Sequence, residues 1–288
     1  MSNRFWRRLH LGLKTLLTDS PKGYFIPYRY ADGDIKPENR QPYGAVERVF
    51  EEKQPAFKEV MKDLLAWEQE FQGFNETKPP EPRWQQSWFP RLDAALAYHL
   101  VRKEKPRTIV EIGSGHSTRF MAAAIRDGNI KCDLISIDPA PRADISDLSS
   151  VQITECTIQN ADLDVFKRLG AGDIVFVDSS HILMPGNDVD ILFNHIIPLL
   201  PAGVLVHIHD MALPWDYPAA WQWRGYNEQL AVIPMICGGG YDVLWSSYYV
   251  ANTMINDIPD WLVDTAPKPK EAMETSLWLR KVCPAVSQ

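Results

Sequence analysis

Two four-residue segments place carboxylates and imidazoles at spacings suited to proton transfer: Asp178-Ser179-Ser180-His181 and His207-Ile208-His209-Asp210. Each closes an apolar run, Ile174–Val177 or Val204–Ile208, of the kind that forms a buried strand. Side chains alternate along a strand, so His207 and His209 share one side and Asp210 leaves the sheet beside them. Ligands of open α/β sheets bind where parallel strands end. Two carboxylates and one or two imidazoles are therefore expected to converge there, and an imidazole titrates near neutral pH.

A second constellation points to the ligand. Val110-Glu111-Ile112-Gly113-Ser114-Gly115-His116-Ser117-Thr118 reads as a buried strand, a tight glycine turn and a helix start. The apolar run Leu134–Ile137 then ends in Asp138, about where a ribose would lie. Glycines allow close backbone approach, and helix-start N–H groups favour a polar or anionic ligand. Thr118 stands at the third glycine position of the Gly-x-Gly-x-x-Gly dinucleotide fingerprint, which counts against a nicotinamide site.

The elements that must hold these residues alternate. A helix from Phe89 ends at Pro106. Strands are predicted at Thr108–Ile112, Leu134–Ile137, Val151–Cys156, Ile174–Val177 and Val204–Ile208. Helices are predicted at Ser117–Arg126, Leu163–Leu169 and Val189–Leu199. The pattern implies an α/β, Rossmann-like, doubly wound and mainly parallel seven-stranded sheet with an N-terminal helical extension. Trp221–Met235 reads as helical, Tyr241–Val250 as a further strand or close pair on an antiparallel edge, and Glu271–Lys281 as a short helix. Helical signals at Tyr43–Phe57 and Phe57–Phe74 precede a proline-rich break at Lys78–Pro82. The expected organisation is an extension over 1–85 serving as cap or dimerisation element, a catalytic domain over 86–264, and a tail over 265–288.

With these motifs the sequence resembles the class I S-adenosylmethionine-dependent methyltransferases, in particular a bacterial small-molecule subgroup of the methyltransferase-24 type. The resemblance rests on Glu-x-Gly-x-Gly-His-Ser-Thr, Ile-Asp-Pro, Asp-Ser-Ser-His and His-x-His-Asp, and spans about residues 89–250. It implies that Glu111, Gly113, Ser114, Gly115, Ser117 and Thr118 surround the methionine part of the cofactor. It also implies that Asp138 accepts from the ribose, that Thr157, Ile158 and Gln159 lie near the adenine, and that Asp178 borders the methyl donor.

The catechol-type O-methyltransferases are similar at the second constellation, where Asp178 matches an aspartate closing strand four and His181 stands at the position of a basic residue. His209 and Asp210 stand in for an acidic or amide pair. The resemblance implies a divalent metal on Asp178, His209 and Asp210; an imidazole ligand suits iron, manganese or zinc better than magnesium. Such an ion would acidify and orient an acceptor hydroxyl, with His181 as base. The expected catalytic set is His181, Asp178 and Asp210, transferring a methyl group to a small-molecule hydroxyl. The alternatives are metal-independent transfer to nitrogen or oxygen, and a non-catalytic cofactor-binding scaffold.

Other histidines are read as structural or undecided. His99 and His195 suit satisfied core positions, His207 lies behind the site, and His116 opens a helix beside it. Asp188 reads equally as a helix cap or as part of the site. The acceptor is expected to meet Tyr24–Tyr30, Trp84–Arg91 or Pro214–Trp223, unless these aromatics form a hydrophobic seam.

Composition narrows the class. The 288 residues are 45% hydrophobic and 23% charged, with a net charge of -7, which argues against a nucleic-acid partner. Four scattered cysteines suit inert thiols in a cytoplasmic protein. No apolar run is long enough for a membrane span. Phe5–Leu17 is basic and amphipathic and reads as a terminal helix docking on its own protein or on a second copy of the chain, or else as one lying on a membrane or a partner.

Overall fold

Five short apolar runs build the parallel half of a seven-stranded sheet in the computed structural model, which describes residues 3–75, 78–141, 145, 148 and 150–285. They are β1 (Thr108–Ile112), β2 (Asp133–Ile137), β3 (Val151–Thr154), β4 (Ile174–Val177) and β5 (Leu205–Ile208). With β6 (Tyr241–Ser246) and β7 (Leu277–Lys281) the sheet order is β3-β2-β1-β4-β5-β7-β6. Residues of β1, β4 and β5 are buried throughout, as expected of strands covered on both faces. At the edge, β3 alternates between half-buried and exposed residues.

Helices cover both faces. In chain order, after α1 (Asn3–Leu17), α2 (Gly44–Asp63) and α3 (Glu68–Gly73), come α4 (Arg91–Glu104) and α5 (His116–Asp127), which pack against each other, and α6 (Asp188–Asp190), which continues as a π-helix over Ile191–Ile196. Strand order reverses between β1 and β4, so the loops after β1, β2, β4 and β5 open onto one crevice.

Three segments depart from the sequence reading. Tyr241–Val250 is one strand followed at once by a helix over Ser247–Thr253, whose start is held by Ser246 Oγ accepting from the Tyr249 N–H. The stretch read as a helix at Glu271–Lys281 ends in β7, antiparallel to both β5 and β6. Leu277, Trp278 and Leu279 are buried in the sheet, so pairing and burial outweigh the helical spacing of the run. The segment expected as a tail therefore carries a strand of the sheet at Leu277–Lys281.

Trp221–Met235 also divides, into a 3-10 turn at Ala219–Arg224 and a helix at Gln229–Cys237, with Gly225 between them at φ 71°.

The chain forms two units, Met1–Arg40 and Gln41–Gln288. The break falls well before residue 85 because a 20-residue helix, Gly44–Asp63, packs onto β6 and the helix that follows it through aromatic pairs. Phe50 meets Tyr249 at 5.3 Å between ring centroids and Phe57 meets Trp245 at 5.5 Å. Each such pair adds roughly 0.5–1.5 kcal/mol beyond its buried area. Residues 1, 2, 76, 77, 142–144, 146, 147, 149 and 286–288 of the expected segments lie outside the described residues.

Candidate active site

The turn after β1 is fixed by close packing. Gly113 has φ +83°, and a Cβ there would stand 1.9 Å from the Asp178 carbonyl oxygen. Its N–H donates to the Ile137 carbonyl (3.0 Å), while the Asp178 N–H donates to Ile112 (2.8 Å). A single glycine thus sets the ends of β1, β2 and β4 against one another. The next residue reaches sideways: the Ser114 N–H and hydroxyl donate to Asp138 Oδ2 at 2.6 and 3.0 Å. Asp138 Oδ1 accepts from the Ala140 N–H, which closes the turn after β2.

Glu111 is placed differently from the expectation. It is fully buried, and its two oxygens accept the hydroxyls of Ser117 and Thr118 at 2.7 Å each. Burial pushes its pKa up to about 7 despite these bonds. Thr118 Oγ1 also accepts the Gly115 N–H (2.9 Å). Glu111 and Thr118 therefore brace the turn from behind and do not line the crevice, whereas Gly113, Ser114, Gly115 and Ser117 do.

The crevice holds a cavity of about 740 Å³. Asp138, Thr157, Ile158 and Gln159 line one part, and Asp178, His181, His209 and Asp210 line another. The size and mixed lining suit a nucleoside-bearing cofactor together with a small acceptor. Three buried polar atoms on lining residues, Ser179 Oγ, His116 Nδ1 and Arg224 Nε, have no hydrogen-bond partner among the described residues. The carboxylates of Asp138, Asp178 and Asp210 suit a diol and a cationic centre. The donor set therefore fits S-adenosylmethionine. Burial and the charges of Arg119 and Arg83 lower the His116 pKa to about 4, so that ring is neutral.

The second constellation is built around His181, which is buried and held at φ 61°. Its Nδ1 donates to Glu228 Oε2 (2.8 Å), and its Nε2 lies 3.3 Å from Asp178 Oδ1 and 3.4 Å from Asp210 Oδ2. Asp210 also has left-handed backbone, at φ 54°. For residues with a Cβ this is a strained region that tends to mark functional positions. The strained loop is fastened by the Asn227 and Glu228 N–H groups, which donate to the His181 carbonyl at 3.1 and 3.3 Å. Burial opposes charge on His181. The bond to Asp178 and the charges of Asp210 and Glu228 overcome that effect and hold its pKa well above the usual histidine range.

These residues do not fit a metal ion. The His181 Nε2–H occupies the gap between Asp178 and Asp210 where a cation would sit, and the Arg224 guanidinium stands 3.5 Å from Asp210 Oδ2. His209 Nε2 is 3.1 Å from the Trp88 carbonyl, to which it must donate, and its Nδ1 faces Ser276 Oγ at 3.4 Å. With one nitrogen protonated and the other on a hydroxyl, His209 has no ring lone pair to spare. Among the described residues no group of three or more His, Cys, Asp or Glu side chains converges on a metal position.

The remaining histidines sort by environment. His207 is buried, stacked on Phe176 at 3.7 Å, and bonded through Nε2 to Ser276 Oγ (2.9 Å), and burial holds it neutral. His99 is buried in the core and accepts the Trp67 indole N–H on Nδ1 (3.1 Å), while its Nε2 has no partner among the described residues. His195 is exposed on its helix, contrary to the core reading. Asp188 accepts the N–H and hydroxyl of Ser180 (2.8 and 2.6 Å), while Asn187 caps the helix.

With this geometry in view, comparison with known proteins identifies the core. Residues 110–211 match the family model described as a methyltransferase domain. Over residues 110–211 the chain carries a methyltransferase domain. No curated protein matches the chain by sequence. Among solved structures it is similar to the Podospora anserina methyltransferase PaMTH1 bound to S-adenosylhomocysteine, at 16% identity over 91% of this chain and 100% of that one, with a TM-score of 0.40. Apo CmcI is 18% identical over 73% and 79% of the two chains, with a TM-score of 0.41. The plantazolicin methyltransferase BpumL with S-adenosylhomocysteine is 15% identical over 65% and 82%, also at 0.41. No residue role is drawn from likenesses of this strength.

Several residues of the methyltransferase site lie outside the sequence-derived set. Glu228 and Tyr226 follow the aromatic stretch, and the Tyr226 ring packs 4.6 Å from His181. Glu271 and Met273 reach the cavity from the segment leading into β7. That segment is clamped to the start of α4: Arg91 and the Leu92 N–H bind Glu274, and Asp93 accepts from the Thr275 and Ser276 N–H groups. An acid just ahead of the apolar run Gln229–Cys237 was the only local signal for Glu228. Of the stretches expected to meet the acceptor, Trp84–Arg91 contributes Trp88 and Phe89, and Pro214–Trp223 contributes Trp221. Tyr24–Tyr30 belongs to the Met1–Arg40 unit.

Proposed function

We propose that the methyltransferase domain methylates a hydroxyl of a small-molecule acceptor without a metal, with His181 as the base. The observation that carries this reading is the placement of His181, whose Nδ1 is fixed by buried Glu228 while Nε2 faces the cavity between Asp178 and Asp210. Bound S-adenosylmethionine supplies an electrophilic methyl group on a sulfonium and leaves as S-adenosylhomocysteine.

The chain's own residues do the rest. Asp138, with Ser114 beside it, holds the cofactor's diol, and Thr157, Ile158 and Gln159 flank the base. Trp88, Trp221 and Tyr226 enclose the acceptor. Asp178 and Asp210 keep the field around the methyl position negative. His181 Nε2 takes the acceptor's proton as the methyl is transferred. Before transfer the imidazole releases its Nε2 proton to solvent, which it does more readily once the cofactor's sulfonium lies beside the two aspartates, because their charge is then shared. Glu228 keeps the remaining proton on Nδ1. The free thiols of the four cysteines agree with work in a reducing cytoplasm.

The test is incubation of a metabolite extract with methyl-labelled cofactor and mass spectrometry of the products. A labelled O-methyl product, formed equally in excess chelator and lost in His181→Asn, is expected. A product formed only with added metal would overturn the proposal, as would full turnover by His181→Asn.

A further inference from the structure

The Met1–Arg40 unit carries a surface that the methyltransferase chemistry does not use. Its helix α1 (Asn3–Leu17) collects Phe5, Trp6, Leu9, Leu13, Leu16 and Leu17 on one arc of about 120°, from the helical period of 3.6 residues. All six are exposed, Trp6 at 56% and Leu17 at 75%. Residues 3–17 include four basic residues, Arg4, Arg7, Arg8 and Lys14, and no acidic one, within a chain whose net charge is -7. The basic positions fall outside the apolar arc, on the rest of the circumference.

The unit continues the same theme after the helix. The Lys22 N–H donates to Thr15 Oγ1 (3.1 Å), which brings the following stretch back alongside α1. That stretch exposes Tyr24, Phe25, Ile26 and Tyr28, and Arg29 lies over the Tyr30 ring at 5.6 Å. Exposed apolar side chains gathered on one face in this way mark an interaction surface.

We infer that α1 docks in the plane of an anionic lipid surface, with its apolar arc in the acyl boundary and its arginines and lysine among the headgroups. The chemistry that decides the occupant is charge. Two copies of this face would bring only like charges together, whereas an anionic bilayer complements every charged side chain on the helix. Tryptophan, phenylalanine and leucine opposite lysine and arginine are the composition of helices that lie in the interface. Tyrosines with an apolar ring and a wet hydroxyl suit the same depth. The surface would hold the enzyme where an acceptor of low water solubility is found.

The full chain is mixed with vesicles of phosphatidylcholine alone or with phosphatidylglycerol added, and bound protein is measured by sedimentation. Each basic residue near the surface strengthens binding roughly five-fold, so Arg7, Arg8 and Lys14 together favour the anionic vesicles on the order of 100-fold. High salt should erase most of that difference, because it screens the charges. The double variant Leu9→Glu/Leu13→Glu should stay in the supernatant while keeping the parent's thermal unfolding curve. Equal sedimentation with both vesicle types, or binding retained by the double variant, overturns the proposal. So does a parent chain that ignores vesicles and sediments as a dimer that the double variant renders monomeric, which would assign the face to a second copy.

Discussion

Replacing Glu228 by glutamine isolates what the buried carboxylate does to His181. The 2.8 Å bond from Nδ1 to Glu228 Oε2 joins two buried groups, and the other carboxylate oxygen has no partner among the described residues. A hydrogen bond to a charged group contributes roughly 1.5–3 kcal/mol. Its loss makes the neutral imidazole about 10- to 150-fold more populated at any pH below its titration. Asp178 and Asp210 remain at 3.3 and 3.4 Å, so the ring stays more basic than an isolated histidine. A glutamine also presents amide hydrogens to Nδ1, which favours the tautomer with its proton on Nε2, facing the acceptor. Turnover should then fall by roughly 100-fold or more, as in other pairs where an amide replaces the carboxylate behind a histidine.

Imidazole nuclear magnetic resonance of histidine-labelled protein reads both effects without a known acceptor, with His181→Gln to assign the signal. In the parent, His181 should remain doubly protonated above the ordinary histidine range. In Glu228→Gln it should titrate at lower pH and change tautomer. Folding is linked to the same proton. His181 holds it more tightly in the folded chain, so its stabilising contribution is complete below the ordinary histidine range and is lost as pH rises through the raised folded value. A parent His181 already neutral at neutral pH, or identical titrations in parent and variant, would refute the reasoning.

Three other outcomes follow from the geometry. Asp138→Ala removes the acceptor for the cofactor's diol and should weaken S-adenosylhomocysteine binding roughly 10- to 100-fold by calorimetry, the size of one lost bond to a charged group. Gly113→Ala drives a Cβ onto the Asp178 carbonyl at positive φ and should cost about 1–3 kcal/mol or more in denaturant unfolding. Glu111, raised from an ordinary value of 4.5 to about 7 in the fold, binds its proton more tightly when folded, so it withdraws stability as pH rises across that window. The loss amounts to roughly 3 kcal/mol. Glu111→Gln should flatten the fall in unfolding free energy between acid and neutral pH.

The parallel half of the sheet was legible because buried strands are written as continuous apolar runs. The acids and glycines at the ends of those runs marked the crevice. Asp138, Asp178, His181 and Asp210 meet there for that reason, and the bounds of β1 and β4 match the expectation residue for residue. Glu111 misled because its type and place suit a ligand, while its burial beneath Ser117 and Thr118 depends on how the helix folds back. His209 misled in the same way, since its nitrogens are engaged by the distant Trp88 carbonyl and Ser276 hydroxyl. Glu228 and the Glu271–Ser276 segment are joined to the site by long-range pairing, which local periodicity does not encode. The β7 strand is the extreme case, because its partners β5 and β6 precede it and neither announces a missing neighbour.

That strand gives the sheet an unusual dependence on the order in which the chain emerges from the ribosome. Strands β1 to β5 can pair as they are made, but β6 has no partner until β7 slides between it and β5. Until residues 277–281 are out, two open edges face solvent, rich in valine, leucine and tryptophan and ready to join those of another nascent chain. A stop codon after residue 270 would therefore yield a sticky precursor, and its signature in a cell would be inclusion bodies rather than a soluble, inactive enzyme.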